Sequence, residues 1–187
     1  MNAPSGLTGQ LLFAMPGLMD PNFEHGVAFI CQHGEDGAIG LLINRPSDFS
    51  LGDLLKQMQI DSDNEAVNSQ PVLSGGPIQP ERGFVLHHGH TRWVSSHPVN
   101  DELVLTTSRD VLEAIAAGEG PDPMLVALGY AGWEPGQLER ELRENAWLTI
   151  AANSSLLFET PLDQRWTAAA ASVGVDASRL MHYAGNA

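Results

Sequence analysis

The sequence predicts a mixed α+β protein folded as a single compact domain over residues 7–185. Two observations predict this class. Short apolar runs bounded by turn residues dominate the first half, which is typical of strands and hairpins. The second half alternates apolar runs with helical periodicity in a β-α-β-α-β order, which favours right-handed crossovers within a mixed sheet. The length of 187 residues fits one domain, since domains usually hold about 100–200 residues.

The elements of the first half follow from its apolar runs and turn signals. Ser50 and Asp53 fit a capping box at the start of a helix over residues 51–59. The polar segment 61–70 is expected to be an exposed loop. The predicted strands cover residues 10–15, 27–32, 38–44, 71–74 and 83–88.

The second half is predicted as strand 103–107, helix, strand 124–130, helix 135–145 and strand 147–151. Ser108 is expected to cap the first of these helices. A helix near 163–172 and a shorter one after Asp176 complete the chain. Trp147 and Trp166 lie on apolar segments, so both indoles are expected in the core.

Charge and composition exclude several classes of protein. The net charge is −14 and Lys56 is the only lysine, whereas nucleic-acid binders usually carry a basic footprint. No apolar run approaches the roughly 18 residues that span a bilayer. The first residues lack the features of a signal peptide, and Cys31 is the single cysteine. We therefore expect a cytoplasmic protein that binds neither nucleic acid nor membrane.

The histidine-rich segment 87–90 and Cys31 are the residues most suggestive of chemistry. His88 and His90 share one strand face, yet no third ligand stands at a recognised spacing. Exposed hairpin histidines are therefore expected, and no metal site. Cys31 lies within an apolar strand and is expected to be buried and unreactive. No dinucleotide or phosphate-loop motif is present, so neither a cofactor nor a catalytic residue is predicted. Whether the protein is an enzyme stays open, with a non-catalytic role favoured.

Three glycine-marked turns form the candidate ligand site, each placed after an apolar strand. Arg45 offers a cationic fork for a carboxylate or phosphate, and Asn44 offers a donor and an acceptor. Backbone N–H groups at the glycines and at a helix starting at Pro135 could add anion contacts. The candidate residues are Asn44, Arg45, Gly75, Gly76, Tyr130, Trp133, Gln137 and Glu141.

A structural interpretation of the same residues stays open beside this one. Asn44 and Gln137 would then satisfy buried backbone groups. The glycines would only permit tight packing of one backbone segment against another. The sequence is compatible both with a polar pocket and with close packing of backbone segments at the glycines.

The order and spacing of several motifs resemble the YqgE/AlgH family of small bacterial proteins over nearly the whole chain. The matching segments include residues 37–40, Asn44-Arg45-Pro46, Gly75-Gly76-Pro77 and residues 129–133. The resemblance implies a compact mixture of strands and helices and no established enzymatic activity. One branch of the family is named as a transcriptional regulator linked to alginate production.

Three functions from different classes follow. The first is a non-catalytic regulatory or interaction protein that acts through an unknown protein partner or a small anionic ligand. The second is an enzyme or small-ligand-binding protein with a polar pocket near Asn44, Gly75 and Gln137. The third, a regulator that contacts DNA directly, is disfavoured by the acidic charge and by the lack of a basic recognition helix. Any transcriptional role is therefore expected to be indirect.

Overall fold

The computed structural model describes residues 6–89 and 93–174, and ten strands in these residues form one sheet. The strands are, in chain order, β1 (Gln10–Ala14), β2 (Val27–Gly34), β3 (Gly37–Leu42), β4 (Pro46–Ser50), β5 (Pro71–Ser74), β6 (Ile78–His88), β7 (Ser96–Pro98), β8 (Leu103–Thr106), β9 (Met124–Trp133) and β10 (Trp147–Ala151).

Helices connect and cover the strands. They are α1 (Leu51–Gln57), α2 (Glu65–Asn68), α3 (Arg109–Ala116), α4 (Gln137–Arg143) and α5 (Arg165–Ser172). A π-helical turn over Ser155–Glu159 and a 3-10 turn over Leu162–Gln164 precede α5. Among these described residues, no helix is both long and apolar enough to cross a membrane.

The strand order is β10-β1-β2-β3-β9-β6-β8-β7, with β4 attached through β5. Strands β8 and β9 both lie antiparallel to β6. They are therefore parallel to each other, and α3 forms the crossover between them. Strand β5 also pairs parallel with β9. The predicted mixed-sheet α+β class is confirmed.

Strand β9 is the centre of the sheet. One side of β9 pairs with β6, and the other pairs first with β5 and then with β3. The sequence predicted that this strand ends at Tyr130, but it continues to Trp133. The stretch expected to form a turn after the strand is thus part of the strand, because Gly132 and Ala131 pair with Ile39 and Gly40 of β3.

The segment before β5 shows both a confirmed and a wrong prediction. The capping box of α1 is present, with Ser50 and Asp53 bonding each other's backbone N–H groups. The expected loop 61–70 instead contains α2. Asn64 caps this short helix by accepting hydrogen bonds from Ala66 N and Val67 N at 3.0 and 3.3 Å. The helix was not predicted because its residues show no apolar periodicity, and the side-chain cap at Asn64 lies within a polar run.

Trp147 and Trp166 are both buried, as predicted. Trp166 on α5 also donates a hydrogen bond from Nε1 to the carbonyl oxygen of Ala14 at 2.8 Å, which ties this helix to β1. The predicted helix after Asp176 and the end of the predicted domain at residue 185 lie outside the described residues.

Candidate functional site

Asn44 lies where β3 ends, and backbone groups occupy both ends of its amide. Its Oδ1 accepts a hydrogen bond from Val27 N at 2.9 Å, and its Nδ2 donates to the carbonyl oxygen of His25 at 2.9 Å. The amide therefore holds the start of β2 in place. This arrangement matches the structural interpretation of Asn44.

Arg45 reaches in the same direction and binds the loop before β2. Its guanidinium donates to the carbonyl oxygen of Pro21 at 3.0 Å and to those of Asn22 and Glu24. Partial burial lowers the pKa of Arg45, an effect opposed by the charges of Glu24 and Asp20. The cationic fork predicted for an external anion is thus directed at three carbonyls of this chain.

The predicted turns at residues 75–76 and 129–130 do meet, backbone against backbone. A Cβ atom on Gly75 would lie 2.3 Å from Gly129 O, and one on Gly76 would lie 2.2 Å from Tyr130 O. The N–H of Gly75 donates to Leu128 O at 2.7 Å. No room for a ligand exists between these segments, and the N–H of Gly75 is already in use.

The beginning of α4 differs from the prediction. The helix starts at Gln137 and not at Pro135, because Gly136 adopts a left-handed conformation with φ of 79°. Gln137 Oε1 accepts a hydrogen bond from Glu134 N at 2.9 Å, which fixes the turn. Further along α4, Glu141 accepts from Trp147 Nε1 at 3.3 Å. Gln137 and Glu141 thus both have partners within the chain.

Tyr130 and Trp133 project differently along β9. Trp133 is buried and packs its ring against Phe23 and Trp147 at centroid distances of 6.0 and 5.9 Å. Tyr130 is half-buried and faces a cleft on the outside of the sheet. Tyr130 also lines a neighbouring cleft together with Trp133 and Gln137, but the cleft in which Tyr130 accompanies Arg82 contains neither of them.

We call this feature the Tyr130 cleft, and its volume is about 580 Å³. Pockets of small-molecule size hold about 300–1,000 Å³. The cleft is lined by Thr8, Cys31, Gln32, His33, Ile39, Arg82, Phe84, His97, Pro98, Val99, Leu105, Thr107 and Tyr130. Residues from six strands and three loops meet here, so the order of residues along the chain does not reveal the cleft.

The charge of the Tyr130 cleft is opposite to that of the whole chain. Among the residues that the structure describes, its lining contains Arg82 and two histidines but no Asp or Glu side chain. The Arg82 guanidinium lies 5.3 Å from the centre of the Phe84 ring. Tyr130 packs edge-on against the same ring at 5.8 Å. Phe84 thus holds a cation and a phenol side by side at the wall.

Cys31 and His33 both line the cleft, and the structure defines the protonation of the first and the partner of the second. Burial raises the pKa of the Cys31 thiol to about 12, so it is protonated at neutral pH and is a poor nucleophile. The Cys31 residue keeps some exposure to solvent, whereas the sequence predicted a buried cysteine. His33 Nε2 contacts Glu139 Oε1 of α4. Within residues 6–89 and 93–174, no three His, Cys, Asp or Glu side chains cluster as metal ligands would.

His87 corrects the expectation of exposed hairpin histidines. The side chain is fully buried on β6, with Nε2 2.8 Å from Thr106 Oγ1 of β8. Thr106 lies in turn 2.8 Å from Ser96 Oγ. Burial lowers the pKa of His87, so the neutral form is held in the core. Of the two histidines considered as ligands, His88 is half-buried with its Nε2 2.8 Å from Ser154 Oγ, and His90 lies outside the described residues.

Comparisons with known proteins agree with this architecture. The chain is 55% identical over 184 residues to a UPF0301 protein of Xanthomonas campestris pv. campestris, covering 98% of both chains. A UPF0301 protein of Xanthomonas oryzae pv. oryzae is also 55% identical over 98% of both chains.

Two solved structures share the fold. The solution structure of the AlgH protein from Pseudomonas aeruginosa superposes with a TM-score of 0.81 at 46% identity, covering 96% of this chain and 95% of that one. Protein DIP2367 from Corynebacterium diphtheriae has a TM-score of 0.71 at 19% identity, over 98% and 99% of the two chains, and supports the fold alone. The family model DUF179, described as AlgH-like, matches residues 11–178. The chain therefore belongs to the AlgH-like family of bacterial proteins.

Proposed function

We propose that this protein is a non-catalytic regulatory protein that binds a small anionic ligand in the Tyr130 cleft and acts through a protein partner. The observation that carries the proposal is the position of Arg82 in a cleft that no Asp or Glu side chain lines within residues 6–89 and 93–174. In a chain with 23 acidic and nine basic residues, a cation in such a lining favours the binding of an anion.

The wall of the cleft suits an anion with some apolar surface. Phe84 supports the Arg82 guanidinium from one side, which restricts its motion before a ligand arrives. The hydroxyl groups of Tyr130 and Thr107 add hydrogen-bonding groups to the same lining. A carboxylate or phosphate would receive charge-assisted hydrogen bonds from Arg82, and these are stronger than neutral ones.

The protonation of Cys31, the candidate nucleophile in the cleft, supports a non-catalytic role. The Cys31 thiol in the cleft has a pKa raised to about 12, which leaves very little thiolate at neutral pH. The alternative pocket near Asn44, Gly75 and Gln137 receives less support, because backbone groups already use these residues. We also propose a cytoplasmic location, in keeping with a single cysteine.

Indirect regulation is favoured over direct DNA contact. A net charge of −14 opposes approach to a phosphate backbone. The exposed residues Ile39 and Ile78 lie beside Tyr130 on neighbouring strands and offer apolar surface next to the cleft. A ligand in the cleft would therefore change the surface that a protein partner contacts.

The test is a titration of the protein with inorganic phosphate and with succinate, followed by two-dimensional amide NMR and calorimetry. Saturable shifts are expected at Arg82, Phe84 and Tyr130. The variant Arg82→Gln is expected to weaken binding at least about tenfold, as loss of a charged hydrogen bond does. Arg140→Gln is the matched control, since Arg140 is exposed on α4 and does not line the cleft.

Two outcomes would contradict the proposal. Equal weakening by Arg82→Gln and Arg140→Gln would show that only net charge matters. No saturable shifts with either anion would remove the cleft as an anion site. The partner is sought by capture from native lysate, comparing wild type with Arg82→Gln, and a partner retained equally by both would contradict control by the cleft.

A further inference from the structure

A second cavity contains a buried positive charge that this chain does not neutralise within its described residues. Arg165 is the first residue of α5 and is only 5% exposed. Across residues 6–89 and 93–174, no carboxylate oxygen lies within 4.0 Å of its guanidinium, and the one ion pair joins His33 and Glu139. Burial lowers the pKa of Arg165 to about 10, so it remains a cation at neutral pH.

The hydrogen bonds of Arg165 account for only part of its donors. Nε donates to the carbonyl oxygen of Thr160 at 2.8 Å, and Nη1 donates to that of Ile43 at 2.6 Å. A guanidinium has five N–H donors in a planar fork. The two neutral carbonyls accept hydrogen bonds from the guanidinium but do not neutralise its charge. A buried charge without a counter-charge is unfavourable.

Arg165 lines a cavity of about 480 Å³, which lies between α5, the π-helical turn and the loop before β9. Its apolar walls include Leu157, Phe158 and Leu162. The π-helical turn that supplies two of these side chains is a rare conformation that is frequent at functional sites. None of the residues lining this cavity lines the Tyr130 cleft.

We propose that this cavity binds a small monocarboxylate with an apolar body, with Arg165 as the counter-charge and Leu157, Phe158 and Leu162 around the body. Asp122 also lines the cavity and would repel a ligand of higher charge, which favours a single carboxylate over a phosphate. The proposal is independent of the ligand proposed for the Tyr130 cleft.

The experiment uses the full chain and sodium hexanoate, with acetate and inorganic phosphate as comparison ligands. Amide NMR shifts are expected at residues 157–165, and hexanoate is expected to bind at least about tenfold more tightly than acetate, because each buried methylene favours binding. Phosphate is expected to bind more weakly than hexanoate. Phosphate binding more tightly at these residues would overturn the choice of a monocarboxylate.

Two variants separate binding from folding. Leu162→Trp fills the cavity without changing Arg165, and Arg165→Lys keeps a charge but loses the fork. Both are expected to weaken hexanoate binding at least about tenfold, and Leu162→Trp is expected to keep the melting temperature of the wild type. Arg140→Gln should leave the hexanoate shifts at residues 157–165 unchanged, because Arg140 is exposed on α4 and lines neither this cavity nor the Tyr130 cleft. Hexanoate shifts at residues 157–165 that survive Leu162→Trp, or that Arg140→Gln weakens as much as Arg165→Lys does, would overturn the proposal.

Discussion

Gly129 lies directly against the backbone of Gly76. A Cβ atom on Gly129 would come within 2.4 Å of the carbonyl oxygen of Gly76, and Gly129 has φ of +76°. Two independent reasons therefore require glycine at this position of β9. Close approach here is what lets the segment after β5 pack on the central strand.

Gly129→Ala is expected to lower the free energy of unfolding by more than about 3 kcal/mol. Gly118→Ala is the matched control, since Gly118 has φ of +79° and open space around its Cβ position. The control should lose only the left-handed backbone contribution, about 1–2 kcal/mol. Urea denaturation measures both, and equal losses would show that the contact with Gly76 does not matter.

Asn44→Ala is expected to destabilise the fold, because it leaves Val27 N and His25 O without their partner. The expected loss is about 2 kcal/mol. Asn22→Ala changes an exposed amide nearby and should stay within about 0.5 kcal/mol of wild type. An Asn44→Ala protein with unchanged melting temperature and lost phosphate binding would instead support Asn44 as a ligand-site residue.

Stability is expected to fall in acid through His87. Burial lowers its pKa below the ordinary value of 6.5, so the unfolded chain binds a proton more readily than the folded protein. The contribution of His87 is therefore complete above about pH 6.5 and is lost as the pH falls towards its folded pKa. His87→Gln should flatten this decline between pH 7 and pH 5 in urea denaturation. His97→Gln, at an exposed site, should leave it as steep as in wild type.

No specific binding to duplex DNA is expected at about 150 mM salt, because the acidic surface opposes the phosphate backbone. The measurement is a gel-retardation assay with promoter fragments and an unrelated fragment of equal length. Sequence-selective retardation below micromolar protein concentration would contradict both this expectation and the indirect mode of regulation.

The sequence predicted those strands and helices that are defined by residues close together in the chain. The apolar runs of β1, β2 and β8 and the Ser50–Asp53 capping box were visible because neighbouring residues define them. Strand β7 was not predicted, since Ser96–Pro98 is short and polar and becomes a strand only through pairing with β8. Strand β4 similarly depends on β5.

In the candidate site, too, the sequence indicated unusual residues but not the distant groups that they contact. Asn44 and the glycines were recognised as unusual, and the partners they contact are backbone groups distant in sequence. His87 is buried because Thr106 and Ser96 on other strands provide polar partners for it. The sequence does not show these partners, so a run of histidines predicted exposed side chains. Arg165 carried no sequence signal, because its isolation from acids is a property of the packed interior.

The pairing of β1 with β10 has a consequence for synthesis on the ribosome. Gln10 pairs with Ala151, so one flank of β1 has no partner until the chain has been translated past residue 151. Translation at about 5–20 residues per second leaves this flank open for roughly 7–30 seconds. The apolar run Leu11-Leu12-Phe13, which is buried in the native protein, lies along this unpaired flank during that interval. Unpaired strand edges and exposed apolar side chains make a nascent chain prone to aggregation before the native protein exists.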